Sequence, residues 1–292
     1  MIIIKIGFIG AGKVGFSIGK YLKDKGINVT GYYSRSEDSS LEASLFTNIN
    51  QYKDLKQLVE ESDTIVISTP DDKILEVWNK IKNLSIKNKF ICHLSGSLSS
   101  NIFLNISHYG AYGYSIHPIF PISDKYNSHK SLKNAFITIE GDRKYINEVQ
   151  LFIESLGNKT KVLEKNDKTL YHLASVISSN LIIGLISISL NYLKEYGFTE
   201  KEAINALYPL IKENIEGINN KGVINSLTGP VERGDFNTIN RHLLNIKEED
   251  KEVYISLSNK ILSLALEKNK DRDYEKIREI LGGRDEEYSN NF

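Results

Sequence analysis

The chain has 292 residues, 40% of them hydrophobic, which is enough to bury a substantial core and to form two domains. Lys plus Arg and Asp plus Glu both number 37, so the formal net charge is zero and the basic surface of a nucleic-acid-binding protein is excluded. Cys92, the single cysteine, excludes an intrachain disulfide and indicates a reducing, cytoplasmic location.

The first half of the sequence alternates strand patterns with helical patterns. A buried strand type, rich in β-branched residues, opens the chain at Ile2–Ile9. Further strands are predicted at Ile27–Tyr33, Asp63–Thr69 and Lys89–Ser95, and within residues 110–118, 134–140 and 160–164. Helices are predicted at residues 13–25, 51–62, 72–83 and 145–156, whereas the stretch after Tyr33 is polar and serine-rich. This alternation predicts an α/β fold with a doubly wound parallel sheet.

From near Asn166 the pattern becomes almost entirely helical. Helices are predicted at Asp167–Tyr196, Thr199–Ile218, Asp235–Leu244, Lys247–Lys268 and Asp271–Leu281, followed by a frayed tail. Thr199 and Glu202 are spaced as a capping box. The apolar stretch Leu181–Leu193 is shorter than the ~20 residues that span a bilayer, so we expect a buried helix and no membrane span. The expected domains are residues 1–160 and an all-helical domain of residues 161–292.

A glycine-rich motif, GAGKVG, lies between the first predicted strand and the first predicted helix. In this context the first glycine permits a tight turn, the second lets a pyrophosphate approach the backbone, and the third lets helix and strand pack closely. The helix N-terminus also favours phosphate. A glycine turn without a ligand is the alternative. The candidate cofactor-binding residues of this motif are Gly10, Ala11, Gly12, Lys13, Val14 and Gly15.

The end of the second strand indicates which dinucleotide binds. NAD enzymes usually carry an acidic residue there to bind the ribose hydroxyls. This chain has Ser34, Arg35 and Ser36, and a guanidinium with flanking hydroxyls suits the 2′-phosphate of NADP(H). A solvated loop arginine is the alternative, because Glu37 and Asp38 follow closely. NADP(H) is the expected cofactor.

Two further strand ends and a histidine fall at the same predicted edge of the sheet, where ligands of open α/β sheets bind. Serines that only cap helices, and a histidine that is only solvated, are the alternatives. The six histidines show no metal-ligand spacing, so no metal is expected. The candidates for the cofactor are Thr69, Pro70, Asp71, Ser95 and Gly96, and the candidates for substrate are His117 and Pro118.

The first helix of the second half carries a polar stripe. At about 100° per residue, His172, Ser175 and Ser179 share one face, with Lys168 one turn earlier and Asn180 at its border. Histidine or lysine can deliver a proton to the oxygen of a carbonyl under reduction. The alternative is an interior histidine with serines bonded back to helix carbonyls.

The segment SLTGPVERGDF combines a turn with a charged helix start. Thr228, Gly229 and Pro230 make the turn, and Thr228 and Arg233 are candidates to bind substrate, Arg233 by holding a carboxylate. A structural pair between Arg233 and Asp235, with Asp235 capping the next helix, is the alternative.

Taken together, these segments resemble a known family. GFIGAGKVG, HLSGSLS, HP, YHLASVISSN and LTGPVERGD are similar to segments of two-domain proteins that join a Rossmann-like domain to a helical C-terminal domain, first described without a function. That family is part of the 6-phosphogluconate dehydrogenase-like group, and some members are thought to be an alternative class of ketopantoate reductase. The resemblance covers nearly the full length.

The resemblance implies an NADPH-dependent reductase of a small 2-oxo acid, converting 2-dehydropantoate to pantoate in coenzyme A biosynthesis. The best-known ketopantoate reductases carry a helix lysine with asparagines at one-turn spacings, whereas Val176 interrupts that series here. We expect His172 to be the general acid, assisted by Asn180, because Lys168 lies at what the sequence indicates is an exposed helix start. Residues 1–160 would bind NADP(H), and residues 161–292 would bind substrate and form a homodimer.

Two other functions fit the same residues. A pyrroline-5-carboxylate-reductase-like enzyme would reduce an imine, which needs less help from a protein acid because the substrate can arrive protonated. A nucleotide-binding sensor would bind NADP and perform no chemistry. In all three cases the expected partner is a small molecule, and neither nucleic acid nor membrane is expected.

Overall fold

The computed structural model describes residues 5–164 and 168–282. The predictions for Ile2–Ile4, for the helix start at Asp167 and for the tail after Gly282 lie outside these residues. The chain divides into two compact units, Met1–Ser179 and Asn180–Phe292. The first unit therefore includes the helix that carries Lys168 and His172, beyond the expected division at residue 160.

The first unit is built on an eight-stranded sheet. Its strands are β1 (Ile6–Ile9), β2 (Val29–Tyr33), β3 (Asn50–Gln51), β4 (Thr64–Ile67), β5 (Phe90–His93), β6 (Tyr112–Ile119), β7 (Phe136–Gly141) and β8 (Lys159–Val162). Its helices are α1 (Lys13–Asp24), α2 (Glu37–Thr47), α3 (Leu55–Glu61), α4 (Asp71–Ile81), α5 (Ile146–Ser155) and α6 (Thr169–Ile177). The order across the sheet is β3-β2-β1-β4-β5-β6-β7-β8. The predicted Rossmann-type α/β fold is confirmed.

Two features of this unit correct the sequence-based expectation. The sheet is not parallel throughout, because β7 runs antiparallel to β6, with His117 opposite Thr138. The stretch after Tyr33 is not only a polar loop, since Glu37–Thr47 forms α2. Its N-terminus is capped by Ser36, whose side chain accepts a hydrogen bond from the Ser39 amide at 3.4 Å.

Apolar side chains cover both faces of the sheet. Phe8, Phe16 and Tyr114 are buried in the cluster on one face, and Ile65 and Trp78 are buried in the cluster on the other. Strands buried on both faces explain the near-continuous apolar runs in the sequence. Cys92 lies on the central strand β5, between Val66 of β4 and Tyr114 of β6, and it is fully enclosed.

The second unit is helical and has a small core of its own. Its helices are α7 (Asn180–Glu195), α8 (Glu200–Ser226), α9 (Pro230–Arg233), α10 (Phe236–Asn245), α11 (Glu248–Lys268) and α12 (Glu275–Ile280). Val231, Ile239, Leu262 and Ile277 form its buried centre. The predicted capping box at Thr199 and Glu202 is present. These bounds confirm the helical second half, with α12 shorter than expected and α8 continuing beyond Ile218 through a kink at Gly222, whose φ of 81° and ψ of 169° are not helical.

The predicted helix Asp167–Tyr196 is interrupted. Ser178 and Ser179 form a turn between α6 and α7, where the Ser179 amide bonds to the Val176 carbonyl at 3.3 Å. By length and composition alone, the segment Thr169–Glu195 is apolar enough to cross a membrane, which is weak evidence for a membrane span. The expectation of a buried helix at Leu181–Leu193 is wrong, because no residue of α7 is buried.

Candidate active site

The loops that follow β1, β4 and β5 emerge together at one edge of the sheet. Ile9 pairs with Ile67, Ile67 pairs with His93, and His93 pairs with Ser115 of β6. Because these strands are parallel, their carboxyl ends lie level with one another. This edge is where ligands bind in open α/β sheets.

The glycine loop adopts the conformation that the motif predicts. Gly10 has φ +107°, which favours glycine. A Cβ on Gly15 would lie 2.1 Å from Ser68 Oγ and 2.9 Å from the Gly10 carbonyl oxygen, so only glycine lets α1 pack this closely. Gly12 caps α1, and a Cβ added there would meet no heavy atom within 4 Å. The space before the helix N-terminus is therefore open to a phosphate group.

A second observation supports the fit of a dinucleotide. The hydroxyl of Thr69, just beyond β4, is buried and has no hydrogen-bond partner among the described residues. Buried polar atoms rarely stay unpaired, so this hydroxyl is suited to a bound ligand. At the end of β2, Ser34 is half-buried and Arg35 is exposed, while Ser36 caps α2. The glycine loop, Thr69 and Arg35 are thus the residues that would hold NADP(H).

The loop after β5 is fastened to the start of α4. Pro70 caps this helix, and Asp71 Oδ2 accepts hydrogen bonds from Ser95 Oγ and Ser97 Oγ, both at 2.7 Å. Ser95 Oγ also accepts from the Leu98 amide at 3.0 Å, within a loop and not at a helix start, so the predicted helix-capping alternative is wrong for Ser95. These bonds hold the backbone of Gly96 between two anchored serines.

His93 organises the same loop from within, although the sequence did not single it out. It is completely buried, and burial lowers the pKa of its imidazole to about 4. Nδ1 accepts from the Ser95 amide at 3.2 Å, so the other nitrogen, Nε2, donates to the Ser99 carbonyl at 3.1 Å. A neutral histidine in one tautomer therefore serves as a rigid internal support.

Lys168 is buried, and the expectation that it lies at an exposed helix start is wrong. Its side chain is 2% exposed. Nζ donates to the Ser95 carbonyl at 2.8 Å and to Ser115 Oγ at 2.7 Å, so the side chain folds back onto the sheet edge. Within the described residues, these two acceptors leave one N–H of the ammonium group available for a ligand.

Burial also changes the proton affinity of Lys168. Desolvation lowers the pKa of Lys168 from 10.5 to about 8, while the negative charges of Glu140 and Asp71 oppose that shift. Glu140 is itself buried on β7, where it accepts from the Ser100 amide at 2.7 Å and from Ser100 Oγ at 2.6 Å. A lysine with a pKa near 8 can donate a proton at physiological pH and recover it from solvent.

Two histidines border the backbone of Gly96. A Cβ on Gly96 would lie 2.8 Å from His117 Nε2 and 2.8 Å from His172 Cδ2, so only glycine allows both rings to approach. Nδ1 of His117 is 2.6 Å from the Tyr171 hydroxyl, which is 2.8 Å from Thr138 Oγ1. Burial is the main cause that lowers the pKa of His117 to about 4, so this ring is neutral at physiological pH.

The structure brings together some of the predicted residues and separates others. Ser95, Gly96, His117, Lys168 and His172 meet at the sheet edge, with Pro118 buried next to His117. The Ser175 and Ser179 hydroxyls bond to the helix carbonyls of Tyr171 and Ser175, as the structural alternative predicted.

The remaining candidates lie in the second unit. Asn180 begins α7, Thr228 is exposed before Gly229, and Arg233 is exposed at the end of α9. Asp235 caps α10, accepting from the Thr238 amide at 3.0 Å. That capping bond was the predicted structural role of Asp235.

Thr138, Glu140 and Tyr171 were missed by the sequence analysis. A signal was present, because Thr138 and Glu140 are polar residues at alternate positions of an otherwise apolar strand and so share one face. No comparable signal marks Tyr171, whose role depends on strands more than 30 residues away in sequence. Among the described residues, no group of three or more His, Cys, Asp or Glu side chains is placed to hold a metal ion.

Comparisons with known proteins match each part of the chain to a family. Residues 5–93 match the family described as NADP oxidoreductase, coenzyme F420-dependent. Residues 135–261 match a domain of unknown function, DUF2520. No curated protein sequence matches the chain. The chain thus combines the Rossmann domain of an NADP oxidoreductase with a helical DUF2520 domain, which agrees with the two-domain resemblance in the sequence.

Solved structures share this fold over nearly their whole length. BF3122 of Bacteroides fragilis, provisionally described as an NADP oxidoreductase, is 22% identical with a TM-score of 0.72, covering 89% of this chain and 98% of its own. An imine reductase from Pseudomonas sp. is 13% identical with a TM-score of 0.65, covering 90% and 97%. A Plasmodium falciparum pyrroline carboxylate reductase with NADP bound is 16% identical with a TM-score of 0.63, covering 92% and 98%. Together with the match of residues 5–93, these comparisons support an NADP-dependent oxidoreductase.

Proposed function

We propose that the protein is an NADPH-dependent reductase of a small C=N or C=O compound, with Lys168 as the proton donor. The observation that carries this proposal is the burial of the Lys168 ammonium group at the sheet edge, 2.8 Å from the Ser95 carbonyl. NADPH, when bound, supplies a hydride. Lys168 would deliver the proton that the substrate nitrogen or oxygen then requires, and its pKa of about 8 suits that task.

Imine reduction is the first activity to test. The structural neighbours include an imine reductase and a pyrroline carboxylate reductase, so the fold is known to accompany C=N substrates. Lys168 would protonate a neutral imine nitrogen before or during its reduction. A substrate that arrives already protonated would not need this step, and its reduction would depend only weakly on Lys168.

Reduction of a 2-oxo acid, with 2-dehydropantoate as the specific candidate, is the second activity. The specific observation in its favour is again Lys168, because a ketone has to receive a proton on oxygen and a protein acid accelerates that step. The ammonium charge also stabilises a developing alkoxide, whereas it repels an iminium ion. His117 and His172, on either side of Gly96, would orient the substrate.

The test is an NADPH-oxidation screen over pyrroline-5-carboxylate, other cyclic imines and 2-oxo acids including 2-dehydropantoate, with wild type and Lys168→Met. We expect turnover of at least one compound. On a ketone or neutral imine, kcat should fall by about 10²–10⁴ in the variant. A fall of that size on 2-dehydropantoate favours the 2-oxo acid, and turnover confined to cyclic imines favours the imine. No NADPH oxidation with any compound, despite NADPH binding, contradicts the proposal and favours a sensor.

A further inference from the structure

His117, one of the two histidines beside Gly96, is held by a chain of hydrogen bonds that begins at Thr138 on the neighbouring strand β7. Thr138 of β7 contacts the Tyr171 hydroxyl of α6, which contacts Nδ1 of His117 on β6. The aromatic rings of His117 and Tyr171 are 5.7 Å apart and nearly perpendicular, at 89°. Residues from three elements, β6, β7 and α6, therefore fix the orientation of this imidazole ring. A histidine exposed to solvent is not held in this way.

The acid–base strengths of the two groups set the direction of the hydrogen bonds. A phenol is the better donor and a neutral imidazole nitrogen is the better acceptor, so the favoured arrangement has Tyr171 donating to Nδ1 of His117 across 2.6 Å. Because Tyr171 has used its only proton, Thr138 Oγ1 donates to the phenol oxygen at 2.8 Å. Its alternative acceptor, the His117 carbonyl, is farther away at 3.4 Å.

The remaining ring proton has to sit on Nε2. A neutral imidazole carries one N–H, so an accepting Nδ1 leaves the donor on Nε2. This is the atom that lies against Gly96, where a Cβ would be only 2.8 Å away. Among the described residues, the structure shows no hydrogen-bond partner for Nε2. The ring therefore carries a donor without a protein partner beside Gly96 and next to the ring of His172.

We propose that Tyr171 and Thr138 are positioning residues that lock His117 in its Nε2–H tautomer, so that a neutral imidazole donates a hydrogen bond to the substrate. This inference rests on the proposed reductase and narrows its substrate class. The substrate presents a lone pair at this point, on a carbonyl or carboxylate oxygen or on the nitrogen of a neutral imine. An iminium ion that carries no such oxygen has no lone pair to accept the bond and does not meet this requirement.

Burial is the main reason that His117 stays neutral, because it lowers the pKa of the ring. Lys168 at the start of α6, His172 on α6 and His93 on β5 also disfavour a second proton, and Asp71 on α4 is the only one of these groups that favours it. The donor thus stays uncharged across the physiological range. Proton delivery and hydrogen-bond donation are separate tasks, carried by Lys168 and His117 respectively.

The direct test is the tautomer of His117, read by long-range ¹H–¹⁵N correlation on protein labelled at histidine, with His117→Gln to assign the signals. Wild type should show a neutral ring with a bare, hydrogen-bonded Nδ1 and a protonated Nε2. Tyr171→Phe should convert this signal to a mixture of tautomers. A wild-type ring protonated at Nδ1, or an unchanged signal in Tyr171→Phe, overturns the inference. Thr138→Val provides a second, milder variant with the same expected direction.

Kinetics with a matched control complete the test. Tyr171→Phe should lower kcat/KM about tenfold for a substrate with a carboxylate or keto oxygen, and leave turnover of an N-alkylated cyclic iminium ion without such oxygens unchanged. Tyr254→Phe removes a similar contact, 2.9 Å from the Tyr254 hydroxyl to His242 Nδ1, in the second unit, and should change neither rate. Equal losses on both substrates contradict the inference. Absence of turnover in wild type would contradict the proposed reductase alone, because the tautomer is read without turnover.

Discussion

Lys168 combines a positive charge with almost complete burial. This combination makes the protonation of Lys168, and therefore the predicted activity, depend on pH. The pKa of Lys168 is lowered to about 8, mainly by desolvation, against the opposing charges of Glu140 and Asp71. His93 and His117 lie within electrostatic range and are neutral. The protonated, donating form is therefore present below pH 8 and is lost as the pH rises through that value.

We expect kcat on a ketone substrate to be constant at neutral pH and to fall tenfold per pH unit above about pH 8. Lys168→Arg, which stays protonated, should remove the fall even if its absolute rate is lower. The measurement is a kcat profile from pH 6 to about pH 10 at saturating NADPH. A profile that stays flat to the alkaline limit, with wild-type activity in Lys168→Met, would show that another group donates the proton.

The lowered pKa of Lys168 also makes the free energy of unfolding depend on pH. The pKa of Lys168 is lower in the folded state than its ordinary value of 10.5, so the unfolded state binds more protons between pH 8 and 10.5. The free energy of unfolding of wild type, relative to Lys168→Met, should therefore rise with pH across that window. Urea unfolding of both proteins at several pH values measures it. A difference that is independent of pH would contradict the burial of a charged lysine.

Gly96 provides a residue-scale test of the site geometry. In Gly96→Ala the new methyl group would contact both His117 and His172 at 2.8 Å and displace the rings. We expect kcat/KM to fall at least tenfold, with a loss of stability of about 1–3 kcal/mol from overpacking. Gly184→Ala is the control, since its Cβ would meet no atom within 4 Å in helix α7. Wild-type kinetics in Gly96→Ala would mean that the rings do not act on the substrate.

The sequence predicted which residue types matter at this site better than it predicted their surroundings. Gly96 and His117 were found because strand ends and glycines are local signals. The burial of Lys168 was not found, because its acceptors on Ser95 and Ser115 lie 73 and 53 residues away in sequence. Asn166 and Asp167, immediately before Lys168, made an exposed position the natural expectation.

At the scale of elements, the alternation of strand and helix patterns predicted the fold correctly. The direction of strand β7 in the sheet was not predicted. Strands β2, β4 and β5 match their predictions to within two residues at each end, and β1 ends at the predicted Ile9. The reversal of β7 has no sequence signature, because an apolar strand pattern is the same in either direction. Helix α2 was missed because its serines obscure the apolar period, although Ser36 followed by Glu37 and Asp38 is a typical helix start.

The packing of α1 against the loops that follow β1 and β4 gives an element-scale prediction. Gly15→Ala would place a methyl group 2.9 Å from the backbone oxygen of Gly10, which cannot move away as a side chain can. We expect a loss of about 1–3 kcal/mol in the free energy of unfolding, measured by urea denaturation. Gly12→Ala, with no atom near its Cβ, should retain stability and instead weaken NADPH binding. Equal stability of the two variants would contradict the close packing at Gly15.

At the scale of the whole molecule, the helical unit exposes more apolar surface than a soluble monomer usually does. The exposed large side chains of α7 and α8 include Leu181, Ile183, Tyr208, Leu210 and Ile215. Such surface marks an interface, and closed symmetric dimers are its commonest form. We propose a homodimer through this unit.

Light scattering should give a dimer at micromolar concentration, and Ile183→Glu should shift it toward monomer. Leu151→Glu, a similarly exposed position on α5 of the first unit, should leave the mass unchanged. A monomeric wild-type protein would refute the dimer.

The enclosed position of Cys92 offers a way to measure cofactor affinity without any substrate. Burial raises the pKa of this thiol to about 12, so it is protonated as well as shielded, and a thiol-specific dye should label it only when the sheet opens. The rate of labelling then measures how often the first unit opens. A ligand that binds only the closed state slows labelling by a factor of one plus its concentration divided by its Kd. A titration of that rate with NADPH and NADH would give both dissociation constants before a single substrate is identified.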